Sequence, residues 1–198
     1  MGGAESDPPM DESNPWQTLE SRPVYENLWI GLREDRVIRP DGRPGIYGVV
    51  HFKNRAIGVL PVDDQGRIWM VGQYRYTLGR FSWEIPEGGC PEGETPEEAA
   101  RRELREETGL EAGRLDFLLE THLSNSVSDE LGILYRATGL VAGSSDPEPT
   151  ERITIRLMEW SEVWGRLTSG EITDSLTVIA LLHEAIRRAE PATWAPGE

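Results

Sequence analysis

The rhythm of apolar and polar positions changes several times along the chain, and each change marks an element. Over residues 24–38 β-branched and aromatic residues recur among polar ones. Pro40, Asp41 and Gly42 follow as a turn signal, and residues 46–52 resume the extended pattern, which together predict a β-hairpin. Residues 56–62 read as a third strand, turned by Asp63 to Gly66 into a fourth over 68–76. Prolines and glycines crowd residues 84–96, which predicts a loop. Its end announces a helix: Thr95 as N-cap, Pro96 at the first helical position, and Glu98 placed to close a capping box. The helix is expected to run through Glu107 and to stop at Gly109. Strands are expected over 115–123 and 131–137, joined by a polar loop over 124–130. After an acidic, proline-bearing loop over 143–151 come a strand over 152–160, a short helix over 161–167 and a longer amphipathic helix over 175–189. Irregular alternation of strands and helices places the chain in the α/β (α+β) class, with a mixed β-sheet flanked by helices.

Composition changes that picture mainly at the ends. Residues 1–20 are rich in Gly, Pro, Ser and acids and predict a mobile acidic tail, with Trp16 placed to pin its end; residues 191–198 form a second tail. Between them, residues 21–55 form the N-terminal hairpin region and 56–190 the main domain, within the size expected for one core. No apolar run approaches the ~20 residues that cross a bilayer, and the N-terminus lacks the apolar core of a secretory signal. A cytoplasmic protein is the expectation. The single cysteine, Cys90, rules out an intramolecular disulfide, and His51, His122 and His183 form no ligand spacing. The formal net charge of −15 repels nucleic acid and anionic membranes, so neither is an expected partner. It also repels a small phosphate-bearing substrate unless a divalent cation intervenes, and carboxylates are how a protein holds hard cations.

Such carboxylates stand on the first predicted helix. Glu103, Glu106 and Glu107 lie at i, i+3 and i+4 and project from one face. Three crowded carboxylates repel each other unless a cation sits among them, and their oxygens suit Mg²⁺ or Mn²⁺. Ala99, Ala100 and Leu104 offer an opposite face for packing, and Arg102 is spaced to pair with Glu106. The same run, taken alone, is also what a solvated, salt-bridged helix looks like.

The spacing around the helix decides between these. Gly88 is followed after five residues by Glu94, and after seven more by Arg102, Glu103 and Leu104; then come Glu106, Glu107, Gly109 and Leu110. This string resembles the signature of the Nudix hydrolases at every specified position. Average residue frequencies give a chance match on the order of one in a billion starting positions. The resemblance implies the Nudix fold, a mixed sheet sandwiched between helices with an N-terminal antiparallel β-extension. It further implies Mg²⁺-dependent hydrolysis of a nucleoside diphosphate linked to another moiety. By the same resemblance Glu103 and Glu107 are principal metal ligands and Glu106 a further ligand or catalytic partner. The main-chain carbonyl of Glu87, where the family more often has alanine, completes the set, and Glu94 braces the loop.

Outside the box, the Gln73-Tyr74-Arg75 and Trp83-Glu84-Ile85-Pro86-Glu87-Gly88 segments look like the ADP-ribose pyrophosphatase and nucleoside diphosphate sugar hydrolase branch. That branch implies Arg75 as a phosphate grip, Glu84 as a residue that orients substrate or braces an arginine, and a homodimer built on the N-terminal hairpin. It implies a general base just before a late strand, at Glu151, with Glu148 as the alternative. The stretch 123–130 holds no proline, which the ADP-ribose subgroup typically carries there, so a nucleoside diphosphate sugar is matched at least as well. Two other readings are an inactive nucleotide-sensing module, which intact Glu103, Glu106 and Glu107 argue against, and a pyrophosphatase acting on oxidised nucleoside triphosphates.

Overall fold

A computed structural model describes residues 12–143 and 152–190. By its contacts the chain divides into two compact units, Met1–His51 and Phe52–Glu198.

The first unit is a three-stranded sheet in the order β1-β2-β3, formed by β1 (Gln17–Glu26), β2 (Ile30–Ile38) and β3 (Pro44–Phe52). The expected Pro40–Gly42 turn joins β2 to β3, closed by Arg39 N–H donating to the Arg43 carbonyl at 2.9 Å. The single strand expected over 24–38 is instead broken by a tight turn. There the Asn27 side chain accepts from the backbone N–H groups of Trp29 and Ile30, each at 2.8 Å, and β1 pairs antiparallel with β2. The expected tail boundary at residue 20 also falls inside a strand, since β1 begins at Gln17. Every residue of β1 is exposed, so burial imposed no apolar alternation on it. Trp16 meets Tyr47 edge to face at 5.3 Å, which pins the start of β1.

In the second unit, β4 (Arg55–Pro61) lies at the centre of a mixed four-stranded sheet ordered β7-β4-β9-β8. β4 runs parallel to β9 (Leu131–Ala142) and antiparallel to β7 (Glu87–Cys90), while β8 (Leu110–His122) pairs antiparallel with β9. A strand covered on both faces must be apolar on both, and β4 is buried from Ile57 onward. Its alternation splits the core. Ile57 and Val59 pack with Ala99, Ala100 and Leu104 of α1 (Pro96–Thr108), whereas Leu60 packs with Leu176, Ala180 and Leu181 of α3 (Ser175–Ala189). The sheet is therefore sandwiched between helices. A second sheet, β10-β5-β6, is built of β5 (Ile68–Arg75), β6 (Arg80–Glu84) and β10 (Thr154–Met158), all antiparallel. Met158 joins Ile68, Met70 and Val163 in the core, the last from α2 (Trp160–Thr168). Among the described residues no helix is long and apolar enough to cross a membrane.

The loop expected over 84–96 needs correction. Its first part holds the end of β6 and all of β7, in which Glu87 to Cys90 pair with Gly58 to Arg55. Two glycines in four residues hide the strand from propensity, and pairing to the buried β4 overrides it.

Candidate active site

The helix α1 starts as its sequence dictates. Thr95 accepts from Glu98 N–H at 3.3 Å, and the Glu98 carboxylate accepts from Thr95 N–H at 3.0 Å. Gly109 ends the helix in the left-handed region at φ 69°, where a side chain would be strained, and its N–H donates to the Arg105 carbonyl. These caps fix the rotation of the helix. Glu103 and Glu107 then fall on its buried side, 8% and 4% exposed, and Glu106 at its margin, half-buried.

Between the helix and β7 the fit is close. An ideal Cβ placed on Gly88 would lie 2.2 Å from the Glu103 carboxylate, so only glycine leaves that carboxylate its seat against the β7 backbone. Glu107 accepts from the Glu87 N–H at 3.0 Å, which holds the Glu87 main chain beside the helix acids. Arg102 organises the other side. Its Nε and Nη2 grip Glu94 at 2.9 and 2.8 Å, Nη2 also donates to the Gly89 carbonyl at 2.7 Å, and Nη1 reaches Glu103 at 2.6 Å and Glu106 at 3.0 Å. Glu94 thus braces the loop through Arg102, which in return holds the Glu94 carboxyl below the usual carboxylate range.

Across from the helix, Arg75 at the end of β5 meets Glu84 at the end of β6. Nε donates to both Glu84 oxygens at 3.0 and 2.9 Å, and Nη2 to one of them at 2.6 Å. Nη2 also pairs with the Glu87 carboxylate. Both oxygens of Glu84 thus accept from Arg75. Glu87 brings its side chain to the site as well as its main chain. Burial pushes its carboxyl well above the usual range, and Asp174, Glu84 and Glu107 push the same way against Arg75.

Two residues here escaped the sequence reading. Asp174 caps α3, accepting from Thr177 N–H at 2.8 Å, and it has an oxygen within 4.8 Å of oxygens of both Glu84 and Glu87. Glu130 ends the polar loop before β9, and burial, then Asp174, raise its carboxyl. Asp174 left one trace in the sequence, as the N-cap just before the last helix; what it faces is set by tertiary packing. Glu148 and Glu151 lie outside the described residues. Cys90 is buried, takes a hydrogen bond from Arg55 at 3.1 Å and donates to the Glu94 carbonyl at 3.3 Å, which is a structural role.

The donor set fits a hard divalent cation. Among the described residues the carboxylates with oxygens within 4.8 Å of one another are those of Glu84, Glu87 and Asp174, and Oε2 of Glu87 there is buried with no hydrogen-bond partner. The glycine-lined seat for Glu103 keeps a further carboxylate in place.

Comparisons with known proteins agree with this geometry. Residues 52–176 match the family model described as NUDIX domain, and residues 16–50 the one described as nucleoside diphosphate sugar hydrolase N-terminal domain. An ADP-ribose pyrophosphatase from Mycobacterium tuberculosis is 36% identical over 172 residues, covering 84% of this chain and 82% of the relative. A methanol dehydrogenase activator from Bacillus methanolicus is 31% identical over 178 residues, 87% of this chain and 94% of the relative. The crystal structure of an ADP compounds hydrolase superposes with a TM-score of 0.82 at 18% identity, over 93% of this chain and 100% of that one.

Proposed function

The chain belongs to the Nudix family of hydrolases, and from that premise we propose that it cleaves the diphosphate bridge of a nucleoside diphosphate joined to a sugar, ADP-ribose or a nucleoside diphosphate sugar. The products are a nucleoside monophosphate and a sugar phosphate. The observation that carries this reading is the seating of Glu103 at Gly88 and of Glu107 on the Glu87 N–H, with the Glu87 side chain paired to the Arg75 that Glu84 holds.

In this reading Glu103 and Glu107 hold Mg²⁺ (or Mn²⁺) by their carboxylates, Glu106 contributes at the margin, and Glu87 offers its main-chain carbonyl. When bound, the cation neutralises diphosphate oxygens and lowers the pKa of coordinated water. Arg75, oriented by Glu84, donates to a phosphate oxygen of the substrate. Water adds to one phosphorus, the bond from that phosphorus to the bridging oxygen breaks, and the bridging oxygen leaves on the other phosphate. Glu151, with Glu148 as the alternative, takes the proton from the attacking water. The names of the N-terminal family model and of the M. tuberculosis relative support a sugar-linked diphosphate over an oxidised nucleoside triphosphate. The protein acts as a cytoplasmic homodimer in this account; the long exposed strand β1, at the edge of its sheet, supports pairing between copies.

The test is release of mononucleotide from ADP-ribose, GDP-mannose, UDP-glucose and 8-oxo-dGTP, with and without Mg²⁺. Metal-dependent release from one of the first three is expected. Release from 8-oxo-dGTP alone would move the substrate class, and release from none would favour a binding module.

A further inference from the structure

An arginine grips a phosphate best with two parallel N–H donors, and a guanidinium offers two such forks: Nε with one terminal nitrogen, and the two terminal nitrogens together. On Arg75 both forks are engaged. Glu84 occupies Nε and Nη2, with contacts of 2.6 to 3.0 Å. Glu87 takes Nη2 a second time, which uses one donor of the other fork. Among the described residues Nη1 makes no hydrogen bond and is the donor nitrogen left over. Glu87 cannot easily yield, because its own N–H is tied to Glu107 at 3.0 Å and its side chain is 12% exposed.

We propose that Glu87 gates Arg75. Its carboxylate blocks the fork with which Arg75 would otherwise hold a substrate phosphate, so that the free protein binds a diphosphate weakly and through Nη1 alone. Glu84 cannot serve this way, because it lies on the Nε side and leaves the fork of the two terminal nitrogens open. Glu87 is thus a positioning residue that acts through Arg75, and its side chain has a role separate from that of its main-chain carbonyl. This inference rests on the assignment of Arg75 to substrate phosphate.

Equilibrium binding of ADP-ribose in EDTA, where no turnover occurs, reads the gate directly. Replacing Glu87 by Ala frees the fork and is expected to tighten binding about tenfold, the worth of one charge-assisted hydrogen bond. Glu87→Gln keeps the volume but puts an amide NH2, which cannot accept from Arg75, in place of one carboxyl oxygen; it is expected to gain about threefold, and it reads the gate if the alanine variant does not fold. In an Arg75→Ala background neither substitution is expected to change affinity. Unchanged or weaker binding in folded Glu87 variants, or the same gain without Arg75, would overturn the gate. If the unaltered protein cleaves ADP-ribose with Mg²⁺ and yet shows no coupling between Glu87 and Arg75, only the gate fails. If it neither binds nor cleaves any sugar-linked diphosphate with Mg²⁺, the substrate class fails and the gate with it.

Discussion

At the scale of single residues, the site depends on close approach. A methyl on Gly88 would meet the Glu103 carboxylate at 2.2 Å. That carboxylate is the movable end of a side chain, so it would swing away rather than unfold the protein. Gly88→Ala is therefore expected to weaken Mg²⁺ affinity by about 10- to 100-fold, the range seen when the support of a ligand is lost, with little change in melting temperature. Isothermal titration with Mg²⁺ beside a thermal melt checks both halves; an unchanged affinity would mean Glu103 is not a ligand. The box residues were legible in the sequence because their geometry is local. Glu103, Glu106 and Glu107 share a face by helical period, and Gly88 and Glu94 are set by short spacing to that helix. Asp174 and Glu130 were not legible. They reach the cluster only when α3 and the loop before β9 fold onto it, and nothing within a few residues of either records that approach. The pairing of the Glu87 side chain was not legible for the same reason, since its partner Arg75 arrives from β5.

At the scale of elements, capping ties stability to the site. Asp174 both caps α3 and faces Glu84 and Glu87. Asp174→Ala is expected to cost about 1 kcal/mol, the usual worth of an N-cap, whereas Asp174→Asn keeps the cap and is expected to stay near the original stability. Urea unfolding of the two variants separates them, and equal losses would mean the cap is not what holds the helix start. Helices were read well from sequence: α1 begins at Pro96 and stops before Gly109, and α3 spans Ser175–Ala189 as its apolar periodicity requires. Strands were read less well where burial does not write a pattern. β1 is exposed throughout, the Asn27 turn divides a continuous β-rich stretch, and β7 is recruited by the edge of β4 in spite of its glycines. β8 begins immediately after Gly109, earlier than its apolar pattern suggested, because pairing with β9 carries it through exposed positions.

At the scale of the whole molecule, one buried carboxylate holds distant parts of the second unit together. Glu184 of α3 is 1% exposed and accepts from Arg136 of β9 at 2.9 Å, from Arg187 at 3.1 Å and from Arg188 at 2.9 Å. Arg188 goes on to the Gly66 carbonyl at 2.7 Å and lies over the Trp160 ring of α2 at 4.2 Å. Burial alone would raise the Glu184 carboxyl, but Arg136 and Arg187 outweigh it and hold the group below its ordinary value. A carboxyl depressed on folding contributes stability above its unfolded pKa, about 4.5, and loses it as pH falls through the folded value. Glu184→Gln is accordingly expected to lower stability at pH 7 by about 3 kcal/mol, as when one partner of a buried ion pair is removed, and to flatten the acid limb of the melting profile below about pH 4.5. A variant that melts like the original at both pH values would show the network to be incidental. The net charge of −15 belongs to this scale too: it said that a phosphate-bearing ligand needs a cation, and the fold adds the gathering of Glu84, Glu87 and Asp174, which come from separate parts of the chain. Metal-dependent cleavage of a sugar-linked diphosphate through the box helix joins the three scales. Its most direct test is the rate of AMP release from ADP-ribose, or of mononucleotide from a nucleoside diphosphate sugar, by the original protein and by Glu107→Gln in saturating Mg²⁺. The rate is expected to be abolished by EDTA and lowered by at least about 100-fold in the folded variant. A rate indifferent to EDTA, or a Glu107→Gln rate equal to the original, would contradict it.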